Sequence, residues 1–482
     1  MRFSTVSRIL GILLMIFSLS MLPPIAVSLY YQDGQFFAFF DALVLTLGLG
    51  LAIWLPVHKQ RKELRVRDGF IVTTLFWLIL SLSGSIPLFL SDQPDLRYVD
   101  AFFEALSGLT TTGATVITGL DVLPESILWY RQQLQWFGGM GLIILAVAIL
   151  PMLGIGGMQL YRTEAPGPVK DTKLTPRITE TAKALWYIYL SLTVVCALAY
   201  WLAGMSVFDA ICHSFSTIAI GGFSTHDTSI AYFDSTSIEM IAVFFMFTSG
   251  ISFALHFTAW RRNSWRTYFA DPEFQFYAGL MLLVVILTVI VLYFSGTYSF
   301  AESFTKGLFE VVSIATTTGF ATADFTTWPF VLPFLLFIIA FVGGCAGSTG
   351  GGMKAIRVLL IYKQGVREIK RLIHPNAIIP VKVGKRPVPD RIIEAVWGFF
   401  SVYLFVFVVI LLLLLATGLD QVTAWSAVGA TINNLGPGLG EVAAHYGNIP
   451  DTAKWILCFA MLMGRLEIFT LLILFTPSFW RN

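Results

Sequence analysis

The chain has 482 residues, of which 56% are hydrophobic, 15% aromatic and 12% charged, with a formal net charge of +2. Soluble globular proteins are about one quarter charged, so half that fraction leaves too little polar surface for two or three water-soluble domains. Lipid must solvate much of the exterior, and the small net charge makes no case for nucleic acid.

In chain order, ten stretches are apolar and long enough to cross a bilayer core of about 30 Å, which takes roughly 20 helical residues. They lie near 8–30, 36–57, 69–91, 127–150, 183–204, 236–260, 274–296, 329–362, 392–417 and 453–477. The first runs on past Pro23-Pro24 to Val27 and Leu29 with no small-x-small cleavage site, so it reads as a retained membrane helix and not as a signal peptide. Lys and Arg set the orientation. Lys59, Arg61, Lys62, Arg65 and Arg67 follow the second stretch; Arg162, Lys170, Lys173, Arg177 and Lys183 follow the fourth. Arg261, Arg262 and Arg266 follow the sixth, and the longest basic segment runs from Lys363 through Arg391. The alternate connections hold only Arg97, Arg131, Lys306 and Lys454, which places both termini and every basic loop in the cytoplasm. The segment 363–391 reads as a solvated loop, with anionic lipid or a cytoplasmic partner as alternatives.

Each outward connection contains a moderately apolar piece too short to span: 98–112, 207–221, 302–318 and 421–434. Half-length pieces of this kind read as re-entrant helices. The chain then divides into two leading helices (1–68) and four helix–half-helix–helix repeats: 69–160, 161–270, 271–388 and 389–482. Each repeat contains two full spans, so all four share one orientation and can surround an axis along the membrane normal. The fold class expected is an all-α membrane protein with a pseudo-fourfold pore.

The half-helices end in turns that align without gaps. They read Thr111-Thr112-Gly113, Ile220-Gly221-Gly222-Phe223-Ser224, Thr317-Thr318-Gly319-Phe320 and Asn434-Leu435-Gly436-Pro437-Gly438. With Gly113, Gly222, Gly319 and Gly436 superposed, Asp100, Asp209, Lys306 and Thr423 all stand thirteen positions earlier. A dehydrated alkali cation needs a cage of oxygens, which carbonyls from four converging loops can supply. Aiming several carbonyls at one axis forces backbone angles that glycine tolerates, and the C-terminal end of each half-helix favours positive charge there. One such turn alone reads as a tight corner or a packing site; four equivalent copies read as a filter. Glu104 and Glu310 hold equivalent half-helix positions and either attract cations or hydrogen-bond within the assembly.

These turns, the two leading helices and the length together resemble the Trk/Ktr/HKT superfamily of cation transporters, in its bacterial TrkH branch. The resemblance covers essentially the whole chain. It implies potassium uptake across the bacterial inner membrane, a homodimer, and a cytoplasmic ring of nucleotide-binding regulatory subunits of the TrkA type. In plant relatives a serine in place of the first filter glycine accompanies sodium selectivity; Gly113 is retained here.

Two features read as a gate. Within 329–362 lies Gly343-Gly344-Cys345-Ala346-Gly347-Ser348-Thr349-Gly350-Gly351-Gly352, a run that breaks any helix because each interior glycine costs about 1 kcal/mol relative to alanine. It lacks the spacing of a phosphate-binding loop. It is expected to obstruct the pore beneath the filter, with close helix packing as the alternative. Arg465, near the middle of the last stretch, is expected to face the pore and raise the barrier to a cation. The alternative, a buried pair with Glu467, is weakened because positions two apart on a helix do not face each other. The resemblance assigns the matching arginine to the gate as well. A symporter coupled to protons or sodium is the alternative mechanism. An enzyme would need a convergent catalytic set, and no nucleophile–base pattern appears. Cys196, Cys212, Cys345 and Cys458 lack the spacing of a zinc site and read as small core residues. The expected cargo is K+, with no organic cofactor.

Overall fold

The computed structural model describes residues 3–59, 66–141 and 178–481. The far part of the fourth expected span (142–150), Arg61, Lys62 and Arg65, and Arg162, Lys170, Lys173 and Arg177 lie outside the described residues. The fold is helical. Among the described residues the only strands are Lys382–Val383 and Arg386–Pro387, paired antiparallel. They sit in the basic segment expected to be a solvated loop, which also carries the end of a helix, Ala355–Ile373.

Helix dominates because a chain in lipid must satisfy its backbone hydrogen bonds within each segment. Among the described residues, six helices are long and apolar enough to cross a membrane: Phe3–Tyr31, Phe36–Val57, Arg67–Leu90, Lys183–Leu202, Pro272–Phe294 and Asp390–Ala416. The first two cross closely, since a Cβ on Gly11 would stand 2.8 Å from the Gly50 carbonyl oxygen.

The remaining four expected spans, one per repeat, are not simple helices. Glu125–Trp136 widens into a π-helical turn over Phe137–Gly141. Thr236–Ser249 and Phe253–Arg262 meet at 92°, and Asp451–Arg465 and Phe469–Phe475 meet at 107°. The stretch 329–362 is a short helix, Leu332–Ile339, then the non-helical Gly-rich loop, then Ala355–Ile373. Non-helical backbone at membrane depth needs protein partners, and two of these breaks supply each other. The Cys345 amide donates to the Gly250 carbonyl at 2.8 Å, and the Phe253 amide to that of Gly347 at 3.0 Å.

All four half-helices are present: Tyr98–Leu109, Val207–Ala219, Phe300–Ala315 and Gln421–Ile432. The last three start at polar caps. Ser206 and Asp420 accept from first-turn amides, and Ser299 forms a capping box with Glu302. The apolar core has two main bodies. One joins the leading helices to repeats one and four, and the other joins repeats two and three. All four cysteines are buried and free.

Candidate functional site

The four turns close into a ring. Thr111, Ile220, Thr317 and Asn434 each adopt a left-handed φ, of 56°, 55°, 66° and 53°. The aligned glycines follow two residues later with φ of 77°, 79°, 85° and 95°. A Cβ on Gly113 would fall under 3.0 Å from the Gly221 oxygen; on Gly222, from the Thr318 oxygen; on Gly319, from the Leu435 oxygen; on Gly436, from the Thr112 oxygen. Each glycine thus abuts the carbonyl that precedes the aligned glycine of the next repeat, in the order one, two, three, four and back to one. Only a residue without Cβ permits that approach at a positive φ.

The ring is braced from behind. Thr110 and Thr112 share a hydroxyl hydrogen bond at 2.8 Å, and Thr316 and Thr318 the same bond at 2.7 Å. Asn434 Nδ2 donates to Thr112 Oγ1 at 2.9 Å, joining repeat four to repeat one. Gln135 Nε2 donates to the Gly221 carbonyl at 2.7 Å and its Oε1 accepts from the Phe223 amide at 3.0 Å. Tyr446 OH donates to the Gly436 carbonyl at 2.7 Å. Gln135 and Tyr446 were not singled out from sequence, although a run of Gln in an apolar span was a usable signal.

Glu104 and Glu310 are buried and both hydrogen-bond the loops that leave the ring. Glu104 accepts from the Val116 amide at 2.9 Å and from Arg131 Nε at 2.8 Å. Glu310 accepts from the amides of Thr322 and Ala323 at 2.7 and 3.1 Å. Arg131 does not lie in a connection, as the charge count placed it. It is 1% exposed within Glu125–Trp136, donates to the Ser224 carbonyl and lies 4.4 Å from the centre of the Phe223 ring. Lys454, also 1% exposed, pairs with Asp100 at 2.6 Å.

The Gly-rich loop lies directly against the inner ends of three half-helices. Thr349 Oγ1 donates to the Ile218 carbonyl at 2.9 Å, the Gly351 amide to Thr317 Oγ1 at 2.7 Å, and the Gly352 amide to the Asn433 carbonyl at 3.1 Å. Gly343, Gly347 and Gly352 have positive φ, whereas Gly344 and Gly350 pack near Gly250 and Thr316. Ser348 is half-buried. Glu273 anchors the loop by accepting from the amides of Ala346 and Ile356 at 2.6 and 3.2 Å. Lys354 Nζ donates to the Gly350 carbonyl.

Arg465 ends its helix beneath the first turn. Its guanidinium donates to Thr111 Oγ1 at 3.3 Å, to Gly139 O at 2.6 Å and to Gly138 O, and it stands 5.2 Å from the centre of the Trp77 ring. Glu467 pairs with Arg357 of repeat three.

Across residues 35–482 the chain matches the family model described as TrkH, cation transport protein. The Trk system potassium uptake protein TrkH of Halomonas elongata is 62% identical over 98% of both chains, and that of Escherichia coli K12 is 55% identical over 100% of both. The crystal structure of the potassium transporter TrkH from Vibrio parahaemolyticus superposes with a TM-score of 0.91, at 54% identity and 100% coverage of both chains. With that likeness running the full length, the chain belongs to the TrkH family of cation transport proteins.

Proposed function

We propose that the chain takes up potassium through a gated, channel-like pore whose selectivity filter is the ring of four turns. The observation that carries this is the cyclic contact of Gly113, Gly222, Gly319 and Gly436 with the next repeat's carbonyl. Four carbonyl-bearing loops with matched left-handed residues give the oxygen cage that a dehydrated cation needs. The Gly-rich loop lies across the inner ends of the half-helices and is the obstruction; Arg465 adds a positive charge beside it. Opening requires the loop to release Ile218, Thr317 and Asn433. The relatives named as potassium uptake proteins support potassium as the cargo. The resemblance further suggests a homodimer in the bacterial inner membrane, both termini cytoplasmic, with a TrkA-type regulatory ring on the side of the basic loops.

The test is cation flux into proteoliposomes containing the purified chain, comparing K+, Rb+ and Na+ at matched voltage, beside an Arg465→Ala variant. Flux that follows voltage, favours K+ and rises in Arg465→Ala is the expected result. Gly113→Ser should cut the K+/Na+ flux ratio by about tenfold, equivalent to about 1.4 kcal/mol of discrimination. A fixed stoichiometry with H+ or Na+ would instead indicate a symporter. Silence of a correctly folded Arg465→Ala chain toward every cation would overturn the pore.

A further inference from the structure

We propose that four side chains behind the ring, Glu104, His213, Glu310 and Ser426, set selectivity by hanging the outgoing loop of each turn on its own half-helix. This rests on the ring being the filter. Glu104, His213 and Glu310 each stand nine residues ahead of their ring glycine. In repeat four that position is Ala427, and Ser426, one residue earlier, takes the task.

The bonds reach the same stretch of the outgoing loop each time, through backbone amides in repeats one, three and four and through the Ser224 hydroxyl in repeat two. Glu104 accepts from the Val116 amide at 2.9 Å, three residues past Gly113. His213 Nε2 and Ser224 Oγ lie 3.0 Å apart, two residues past Gly222, and that hydroxyl also accepts from the His226 amide at 3.1 Å. Glu310 takes the Thr322 amide at 2.7 Å, three past Gly319. Ser426 Oγ accepts from the Leu439 amide at 2.8 Å, three past Gly436, and lies 3.0 Å from the Leu439 carbonyl. Packing does not require a carboxylate, an imidazole and a carboxylate at one register and a hydroxyl one residue from it in the fourth repeat. A demand for a hydrogen bond to the outgoing loop does. All four residues are 1% exposed or less, so no hydrated cation reaches them. Their effect on ions passes through the loops they hold, which makes them positioning residues. A loop released at this point changes the reach of its carbonyls toward the axis, and small cations gain most when the cage can contract.

Glu310 gives the clean test, because among the described residues it makes no ion pair, whereas removing Glu104 strands Arg131. Glutamine keeps an acceptor for the Thr322 and Ala323 amides without the charge; leucine keeps the volume without the acceptor. Paired K+ and Na+ uptake is measured in proteoliposomes with the full chain in the Arg465→Ala background, with Gly319→Ser run in parallel. Glu310→Gln should hold the K+/Na+ ratio within about twofold, and Glu310→Leu and Ser426→Ala should lower it about tenfold while K+ uptake persists, tenfold being about 1.4 kcal/mol. An unchanged ratio in Ser426→Ala, which alters volume least, together with an unchanged ratio in any folded Glu310→Leu, overturns the proposal. So does an equal loss in Glu310→Gln and Glu310→Leu, which would make charge the cause. Should Gly319→Ser also leave the ratio intact, the ring is not the filter and the underlying reading fails first.

Discussion

Arg131 illustrates how a single residue can hold neighbouring repeats together. Its guanidinium is buried and divided among Glu104, the Thr115 hydroxyl and the Ser224 carbonyl, linking the first half-helix to the loop leaving the second turn. Breaking a buried pair by removing one partner costs roughly 3–5 kcal/mol, because the other charge is left uncompensated, while removing both can be nearly neutral. Arg131→Met is therefore expected to destabilise the protein by an amount of that order in detergent unfolding. Adding Glu104→Leu to it should restore part of the loss, less the hydrogen bond to Val116. A double variant no more stable than Arg131→Met would show that the pair is not the source of the cost.

At the scale of elements, the breaks in the second helix of each repeat matter more than the helices. Gly351 is the tightest point of the Gly-rich loop: a Cβ there would lie within 3.0 Å of the Asn433 carbonyl oxygen, which is backbone and cannot swing aside. Gly351→Ala should push the loop off the fourth half-helix, raising K+ flux while leaving the K+/Na+ ratio set by the ring. A lower flux, or an altered ratio, would place the loop's role elsewhere. The half-helices were legible in the sequence because short apolar pieces, equal spacing and a terminal glycine recur four times. The Gly-rich loop was legible from composition. The bends at Gly250–Ser252 and Leu466–Ile468 were not, because hydropathy averages over a window and does not register where backbone bonds go. Glu467 and Ile468 both have left-handed φ, of 54° and 56°, yet neither residue type announces a turn. The bracing set was only half visible: two glutamates align by type, but His213 and Ser426 do the same task with different chemistry. Arg131 was misplaced because a charge count treats every charge near a span end as exposed.

At the scale of the whole molecule, among the described residues each of the four seams between repeats carries an ion pair, and one of the four is built on a histidine. Repeats two and three are joined by Lys306 and Glu239 at 2.6 Å, three and four by Arg357 and Glu467, and four and one by Lys454 and Asp100. The ion pair between repeats one and two uses a histidine. His226 Nδ1 lies 2.6 Å from Asp121 of repeat one, and Nε2 lies 3.4 Å from Asp209 of its own repeat. Gly119 adds an amide bond to Asp227 at 3.0 Å, and the His213 and Tyr232 rings stack on the imidazole. Burial alone pushes the His226 pKa down, but hydrogen bonds and charge from Asp209 and Asp121 outweigh it and hold the value above 6.5. A group whose folded value is raised contributes its full stability below the unfolded value and loses it as pH rises through the folded value. The thermal-stability advantage of the wild-type chain over His226→Gln should therefore be largest at and below about pH 6.5 and shrink steadily as the solution is made more alkaline, since the imidazole then loses the proton that serves both carboxylates. Unfolding curves for the two chains across that range, at fixed low salt because Asp121 is partly exposed, measure it directly. An advantage that is flat with pH would assign the contact to ring stacking, and one that grows toward alkaline pH would reverse the sign of the linkage and exclude the cationic seam.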